Sequence, residues 1–288
     1  MKVEIECVPC YLKQVISTLK AANYPKEKYN EVINQVIKII PTLDINASPA
    51  ENSSIVLLEA YKAMDMEDPF RQAKEESNRL AFSLYDKVEG IINNSTDPLL
   101  TAFKVAVAGN VIDMGIMPDF DIHAALREIT DKEFDLCDYD DFKQKLATCK
   151  KILILGDNSG EIVFDKLLVL QLKKYAQEII YAVKGGPILN DSTMIDAVEV
   201  GMIELAKVIT NGSNFMGVYI DRCSKEFLDQ FEEADIVISK GQANFESLEG
   251  SSLAGDKTFF VLRAKCDLVG ACAGAKLGNT LFIRNKVR

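Results

Sequence analysis

A carboxylate and an amide stand side by side in Gly156-Asp157-Asn158-Ser159-Gly160-Glu161, directly after the apolar run Ile152 to Leu155. Asp157 and Asn158 are hard oxygen donors of the kind that hold a divalent cation, and Gly156 and Gly160 let backbone approach a ligand closely. The helix expected next would aim its N-terminus at an anion. A plain helix cap accounts for Ser159 and Glu161, but not for Asp157 and Asn158 together. Downstream, Asn190-Asp191-Ser192 follows a Gly-Gly-Pro turn, and Asp191 reads either as an N-cap or as a third oxygen ligand beside Asp157. An Asp, Asn, Asp set suits Mg²⁺ or Mn²⁺ and leaves positions for water and a phosphate. Lys240 and Lys265 emerge directly from apolar runs, where an ammonium group is either solvated or able to neutralise phosphoryl oxygens. Together these residues could carry out metal-assisted phosphoryl transfer.

Such residues need a scaffold, and the chain supplies two kinds. Residues 1–148 read as helical. Leu12, Val15, Ile16 and Leu19 share one face over 11–22, and Val32, Ile33, Val36, Ile39 and Ile40 repeat the pattern up to Pro41. Asp68-Pro69 is expected to open a further helix carrying Ala73, Leu80, Leu84 and Val88, and 99–111 a buried, small-residue-rich one. Residues 149–288 read as an α/β domain that binds metal and phosphate. Its short apolar runs, at 152–155, 179–183, 207–210, 235–239 and 257–262, alternate with helical patterns. Strands apolar on both faces indicate a doubly wound, mostly parallel, Rossmann-like sheet, here preceded by an all-helical N-terminal domain. Ligands of such sheets bind outside the carboxyl ends of the strands. In this chain those ends carry Asp157 to Glu161, Lys184 to Pro187 with Asn190 to Thr193, Asn211 to Ser213, Lys240 to Glu246 and Arg263 to Lys265. The recurrence of polar groups there reads as a functional rim.

Composition narrows the possible functions. A net charge of −10 disfavours a nucleic-acid partner, and no apolar run approaches the roughly 20 residues that span a bilayer. Seven cysteines in a chain of 288 residues suit a reducing cytoplasm. Histidine occurs once, at His123 in a helical stretch, so chemistry resting on a Ser–His or Cys–His pair would hang on one residue. Carboxylates and a metal are the better source of chemistry. Cys7-Val8-Pro9-Cys10 is a single CxxC, which fits either buried thiols or a structural zinc at Cys7 and Cys10, with Cys266 and Cys272 as further ligands. The loop at 156–161 has the spacing of neither a P-loop nor a dinucleotide GxGxxG.

The order of these segments resembles the damage-control phosphatase family, long known only as a domain of unknown function. The resemblance rests on the N-terminal CxxC, Asp68-Pro69-Phe70 with Lys74 and Ser77-Asn78, and Ala108-Gly109-Asn110 with Asp113. It continues through Gly156 to Glu161, Asn190-Asp191, Lys240-Gly241-Gln242-Ala243-Asn244-Phe245-Glu246 and Arg263-Ala264-Lys265, covering nearly the whole chain. The CxxC is similar to the microbial branch. Other branches carry Arg-Thr-x-Lys where this chain has Arg263-Ala264-Lys265.

The resemblance implies a divalent metal (Mg, Mn, Co or Ni) held by Asp157, Asn158 and Asp191, and hydrolysis of sugar phosphates, other small phosphate esters or their damaged forms. On this reading Asp157, Lys240 and Lys265 are the catalytic candidates. Asn110, Asp113, Ser159, Gly160, Glu161, Asn244, Glu246 and Arg263 are the candidate substrate contacts. Attack by water and a covalent aspartyl-phosphate on Asp157 are both open; Ser159, where aspartate-nucleophile phosphatases carry a second carboxylate, favours water. The helical half, with Asn78, Asn110 and Asp113, is expected to close over the crevice and set specificity. The competing functions are an S-adenosylmethionine-dependent carboxyl methyltransferase and a non-catalytic phosphometabolite-binding protein.

Overall fold

The computed structural model describes residues 1–107 and 131–287. The expectations placed on Asn110, Asp113 and His123 lie outside the described residues.

The N-terminal part is helical, as expected. Helix α1 (Cys7–Ala21) begins at Cys7 rather than near Tyr11. Pro9 falls in its first turn, where the proline's missing N–H costs no hydrogen bond. Helix α2 (Tyr29–Ile39) gives way to a short turn at Pro41. Helix α3 (Pro49–Met64) was not expected from periodicity, but Ser48-Pro49 announces it: the Ser48 hydroxyl accepts the Glu51 N–H at 3.2 Å and Pro49 takes the first helical position. Helix α4 (Arg71–Asn93) starts after Pro69 rather than on it, with Asp68 accepting the Phe70 N–H. Helix α5 (Pro98–Ala106) is capped by Asp97, which accepts the Leu100 N–H at 3.0 Å.

A single sheet organises the rest. Its strands are β1 (Leu136–Cys137), β2 (Lys151–Leu155), β3 (Glu178–Val183), β4 (Lys207–Thr210), β5 (Ile236–Lys240), β6 (Thr258–Arg263) and β7 (Thr280–Arg284). Their spatial order is β1-β7-β6-β5-β2-β3-β4. Strands β6, β5, β2, β3 and β4 run parallel, whereas β7 pairs antiparallel with β6 and parallel with β1. This is the expected doubly wound, mostly parallel α/β sheet. The chain winds outward from β2 through β3 to β4, then returns to place β5 on the other side of β2. The order therefore reverses between β2 and β5, which is where open α/β sheets bind ligands.

Helices cover both faces. On one lie α6 (Tyr139–Leu146) and α7 (Glu161–Leu172); on the other lie α9 (Lys225–Glu233), α10 (Gln242–Leu248) and α11 (Asp267–Ala273). A short helix, α8 (Met194–Glu199), follows the β3 loop. Helix α7 is buried almost all round, because α4 and α5 pack over it from outside. Phe103 of α5 meets Phe142 of α6 and Phe282 of β7 edge-on, at 5.2 and 4.7 Å, pairs that add about 0.5–1.5 kcal/mol each beyond area burial. So α4 and α5 share one core with the sheet, and β1 enters that sheet before residue 148. A cut at 148 thus passes through continuous packing. Among the described residues, only α1 to α3 hold a core of their own, built on Val15, Leu19, Val36 and Val56. Leu57 and Tyr61 of α3 also pack with Ile188 and Met216, which sets this helical unit on the loops at the carboxyl ends of β3 and β4.

Candidate active site

The loops leaving β2 and β3 are joined. Asn158 and Asp191 form an antiparallel backbone bridge, flanked by Ser159 N–H donating to the Asn190 carbonyl and Ser192 N–H to the Asp157 carbonyl, both at 2.8 Å. The three expected oxygen ligands, Asp157, Asn158 and Asp191, therefore stand on one short piece of paired backbone. Asp196 braces it from α8. One of its oxygens accepts from Ser159 Oγ at 2.9 Å and Asn78 Nδ2 at 3.3 Å; the other accepts from the Thr193 N–H and hydroxyl. Asn78 in turn accepts the Gly160 N–H at 2.6 Å. Gly160 adopts φ +82°, which a glycine tolerates without steric cost.

Strand β5 forms the opposite wall. Gly241, at φ +80°, lies against the Asp157 carboxylate, and a Cβ there would stand 2.1 Å from Asp157 Oδ2. Lys240 is buried, and its ammonium reaches Glu161 Oε2 at 2.9 Å and Asp165 at 2.8 Å. Tyr181 donates to Asp165 from β3 at 2.6 Å. Nearer the surface, Asn158 Nδ2 donates to Asp157 Oδ2 at 3.1 Å and to Glu161 Oε1 at 3.0 Å. Asp157, Glu161, Gly241, Gln242, Arg263 and Lys265 line a narrow crevice, and among the described residues Ala106 and Val107 from the end of α5, with Val261 and Leu262 of β6, line it too. The helical half thus does reach the crevice, through an apolar wall.

Negative charge is in excess here. Burial, reinforced by Glu161 and Asp191 and opposed by Lys265 and Lys240, pushes the Asp157 carboxyl up to about 8. Burial likewise raises Asp191, against Lys184 at 3.6 Å, and raises Asp165, against Lys240. Burial alone would lower the Lys240 ammonium, but Asp165 and Glu161 outweigh it and hold it well above the usual lysine value. Four carboxylates, Asp157, Glu161, Asp165 and Asp191, face the buried ammonium groups of Lys184 and Lys240 and the exposed one of Lys265. Lys74, also buried, is taken by Asp68 at 2.6 Å. Asp191 Oδ2 is buried, and the Lys184 ammonium stands 3.6 Å from it, beyond ordinary hydrogen-bond length.

The expected substrate contacts separate into two groups. Glu161 and Arg263 line the crevice with Lys265. Ser159 and Gly160 spend their donors on Asp196 and Asn78, so they hold the loop. The Asn244 amide fastens the Lys240 carbonyl at 2.8 Å and the Gly156 carbonyl at 3.4 Å. Glu246 is buried beside Gln242, away from the crevice lining, and its backbone carbonyl accepts the chain's terminal ammonium. Lys240, expected to offset phosphoryl charge directly, commits two of its three N–H groups to carboxylates. Cys7 is half-buried and Cys10 exposed, and among the described residues no group of three or more His, Cys, Asp or Glu side chains gathers to hold an ion. Asp165 and Tyr181 were not singled out from the sequence. The signal for Asp165 was an acidic residue one turn after Glu161 in a largely apolar helix.

Fold and site together describe an α/β protein with an acidic, amide-rich crevice at the strand-order reversal. The chain belongs to the damage-control phosphatase ARMT1-like domain family, whose profile matches residues 3–281. It is 33% identical to an uncharacterized protein of Methanocaldococcus jannaschii, over 99% of this chain and 96% of the relative. It is 31% identical to a damage-control phosphatase of Pyrococcus horikoshii, over 100% of both, and 29% identical to one of Archaeoglobus fulgidus, over 97% of this chain and 98% of that protein. The crystal structure of a DUF89 family protein from Pyrococcus horikoshii superposes with a TM-score of 0.90 at 30% identity, covering 99% of this chain and 100% of that one. Among the described residues no helix is long and apolar enough to cross a membrane.

Proposed function

We propose that this chain is a phosphatase of small phosphorylated metabolites, sugar phosphates or their damaged forms, and that its reaction needs a divalent cation held by Asp157, Asn158 and Asp191. The observation that carries the reading is the backbone bridge between Asn158 and Asp191, which ties two carboxylates and an amide to one piece of paired backbone whose Asp157 lines the crevice. The residues fit a dication. Burial raises both Asp157 and Asp191 toward their neutral forms, a cost that a bound cation would relieve, and the buried Asp191 Oδ2 meets only the Lys184 ammonium, at 3.6 Å. All three side chains offer oxygen, which suits Mg²⁺, Mn²⁺, Co²⁺ or Ni²⁺.

When bound, such a cation would stabilise charge on the phosphoryl group as a Lewis acid. The chain's own residues do the rest. Arg263 and Lys265, exposed and lining the same crevice as Asp157, receive the phosphoryl oxygens. Lys240 acts from behind, by fixing Glu161. Ala106 and Val107 shield one side of the crevice from water. Ser159 is held by Asp196 and brings no second acid–base group two residues after Asp157, which favours attack by water over an aspartyl-phosphate.

The test is phosphate release from a generic aryl phosphate and a panel of sugar phosphates, with Mg²⁺, Mn²⁺, Co²⁺ or Ni²⁺ and after exhaustive chelation. Metal-dependent release is expected. Tight binding of a sugar phosphate without release would instead favour a binding protein, and methyl transfer from S-adenosylmethionine to a carboxylate would favour a methyltransferase.

A further inference from the structure

One hydrogen-bonded chain runs from the interior of the sheet to the crevice. Tyr181 OH donates to Asp165, Lys240 donates to Asp165 and to Glu161, and Asn158 Nδ2 donates to Glu161 and to Asp157. Donors and acceptors alternate along its whole length. Tyr181 and Asp165 are fully buried and lie outside the crevice lining, so neither touches a ligand there.

Resting on the proposed metal-dependent reaction, we infer that Asp165 and Tyr181 are positioning residues that set the orientation of the Asn158 amide. An asparagine side chain has two N–H donors and one carbonyl acceptor. Here Asp157 Oδ2 and Glu161 Oε1 consume both N–H groups. The reversed amide would turn its oxygen against two carboxylates. The carbonyl oxygen is thereby reserved as the ligand atom. Glu161 can impose this only while it is itself held, and its other oxygen is held by Lys240. Lys240 is held by Asp165, which stands one helical turn beyond Glu161 on α7, and Tyr181 fixes Asp165. A fully buried charge pair is a poor way to gain stability, because desolvating each ion costs several kcal/mol. One whose hydrogen bonds end on a candidate ligand has a use that an apolar core would not provide. Gly156 belongs to the same arrangement: a Cβ there would stand 2.6 Å from the Tyr181 hydroxyl.

The experiment uses the full-length protein with Tyr181→Phe and Asp165→Asn. The first readout is the ¹⁵N–¹H signal of the Asn158 side-chain amide in metal-free protein, assigned by its loss in Asn158→Asp. The second is the dissociation constant for Mn²⁺ by calorimetry without substrate. The inference expects the Asn158 signal to move in both variants, and Mn²⁺ affinity to fall about tenfold in Tyr181→Phe and up to about a hundredfold in Asp165→Asn, the range for groups that orient metal ligands. A lowered melting temperature with the Asn158 signal and Mn²⁺ affinity unchanged would overturn it, leaving Asp165 and Tyr181 as core residues only. If Asp165→Asn does not fold, Tyr181→Phe, which loses one hydroxyl, decides alone. The amide signal involves neither turnover nor metal. A shifted signal in a protein that releases no phosphate would therefore refute the phosphatase reading and support the positioning role.

Discussion

The carboxylate of Asp157 rests on the backbone of Gly241, so closely that a Cβ at position 241 would stand 2.1 Å from Oδ2 and 2.5 Å from Oδ1. This contact spans the reversal in strand order between β2 and β5, and it explains why the segment after β5 begins with glycine. Two constraints coincide there, a left-handed φ of +80° and the absence of room. Gly241→Ala should therefore displace Asp157 and lower phosphatase turnover by at least about a hundredfold, since misplacement of about 1 Å at a reacting centre costs on that order. Circular dichroism should show the sheet intact. Turnover within a few-fold of the parent would mean that the position of Asp157 against Gly241 does not matter.

Chelation and Asp157→Ala should act alike on activity but differ on stability. Either should remove nearly all phosphate release, because a metal-centred site supplies several kcal/mol of charge stabilisation. In metal-free protein, however, Asp157 is crowded by Glu161 and Asp191. Removing it should leave the melting temperature of chelated protein unchanged or raised, and should abolish the rise expected when Mn²⁺ is added to the parent. Full activity after exhaustive chelation would end the metal-dependent reading.

The strand ends were legible in the sequence because each parallel strand is a short run buried on both faces, such as Ile152, Leu153 and Ile154, followed at once by polar residues. Strands β1 and β7 were not legible. Leu136–Cys137 is too short to show a pattern, and Thr280–Arg284 is an antiparallel addition beside β6. The same limit applies to side chains. Spacing placed Asp157, Asn158 and Asp191 on neighbouring strand ends, but it could not tell that Ser159, Gly160 and Asn244 turn their donors into the framework. That depends on partners far along the chain, Asp196, Asn78 and the Gly156 carbonyl.

Asn78 was expected to take part in specificity, and its contacts predict something else. It is buried, accepts the Gly160 N–H at 2.6 Å and donates to Asp196 at 3.3 Å. Asn78→Ala strands a buried backbone donor, at a cost of roughly 1–3 kcal/mol. Denaturant unfolding should show that loss. Turnover should fall by the same factor on every phosphate ester, because the variant loosens the loop rather than a substrate contact. A change in the ranking of substrates would restore the specificity role.

Asp235 provides a pH test of the scaffold that is independent of the site. Its Oδ2 accepts the Lys150 and Lys151 N–H groups at 2.8 and 2.9 Å where the chain enters β2, and these bonds hold its carboxyl below the ordinary aspartate value of 3.8. A depressed folded-state value means that the ionised form stabilises the fold. That contribution is complete above the unfolded value and is lost as pH falls through the folded one. Asp235→Ala should cost about 1 kcal/mol at pH 7, a modest figure because the group is exposed. The gap to the parent should close below pH 3.8, which unfolding curves at several pH values would show. A gap that persists in acid would assign the loss to packing.

The apolar wall at the end of α5 predicts how the helical half discriminates between substrates. Ala106 and Val107 line the same crevice as Arg263 and Lys265, so the organic part of a phosphate held by those two cations is expected to pack against the valine. A valine offers an aryl ring dispersion contact and apolar burial, but it gives a sugar hydroxyl no partner. Val107→Ala removes two methyl-sized groups, worth about 0.8 kcal/mol each when buried, or roughly tenfold in binding at full contact. The variant should therefore raise KM for an aryl phosphate by up to about tenfold while leaving kcat near the parent value. KM for a hydroxyl-rich sugar phosphate should change by less than about threefold, because little of its surface is apolar. Since α5 is anchored by Phe103 against Phe142 and Phe282, the substitution should not move the helix itself. Steady-state kinetics on the two substrates read the difference directly. Equal changes in KM for both, or a loss of kcat shared by both, would show that Val107 supports the site and does not read the substrate.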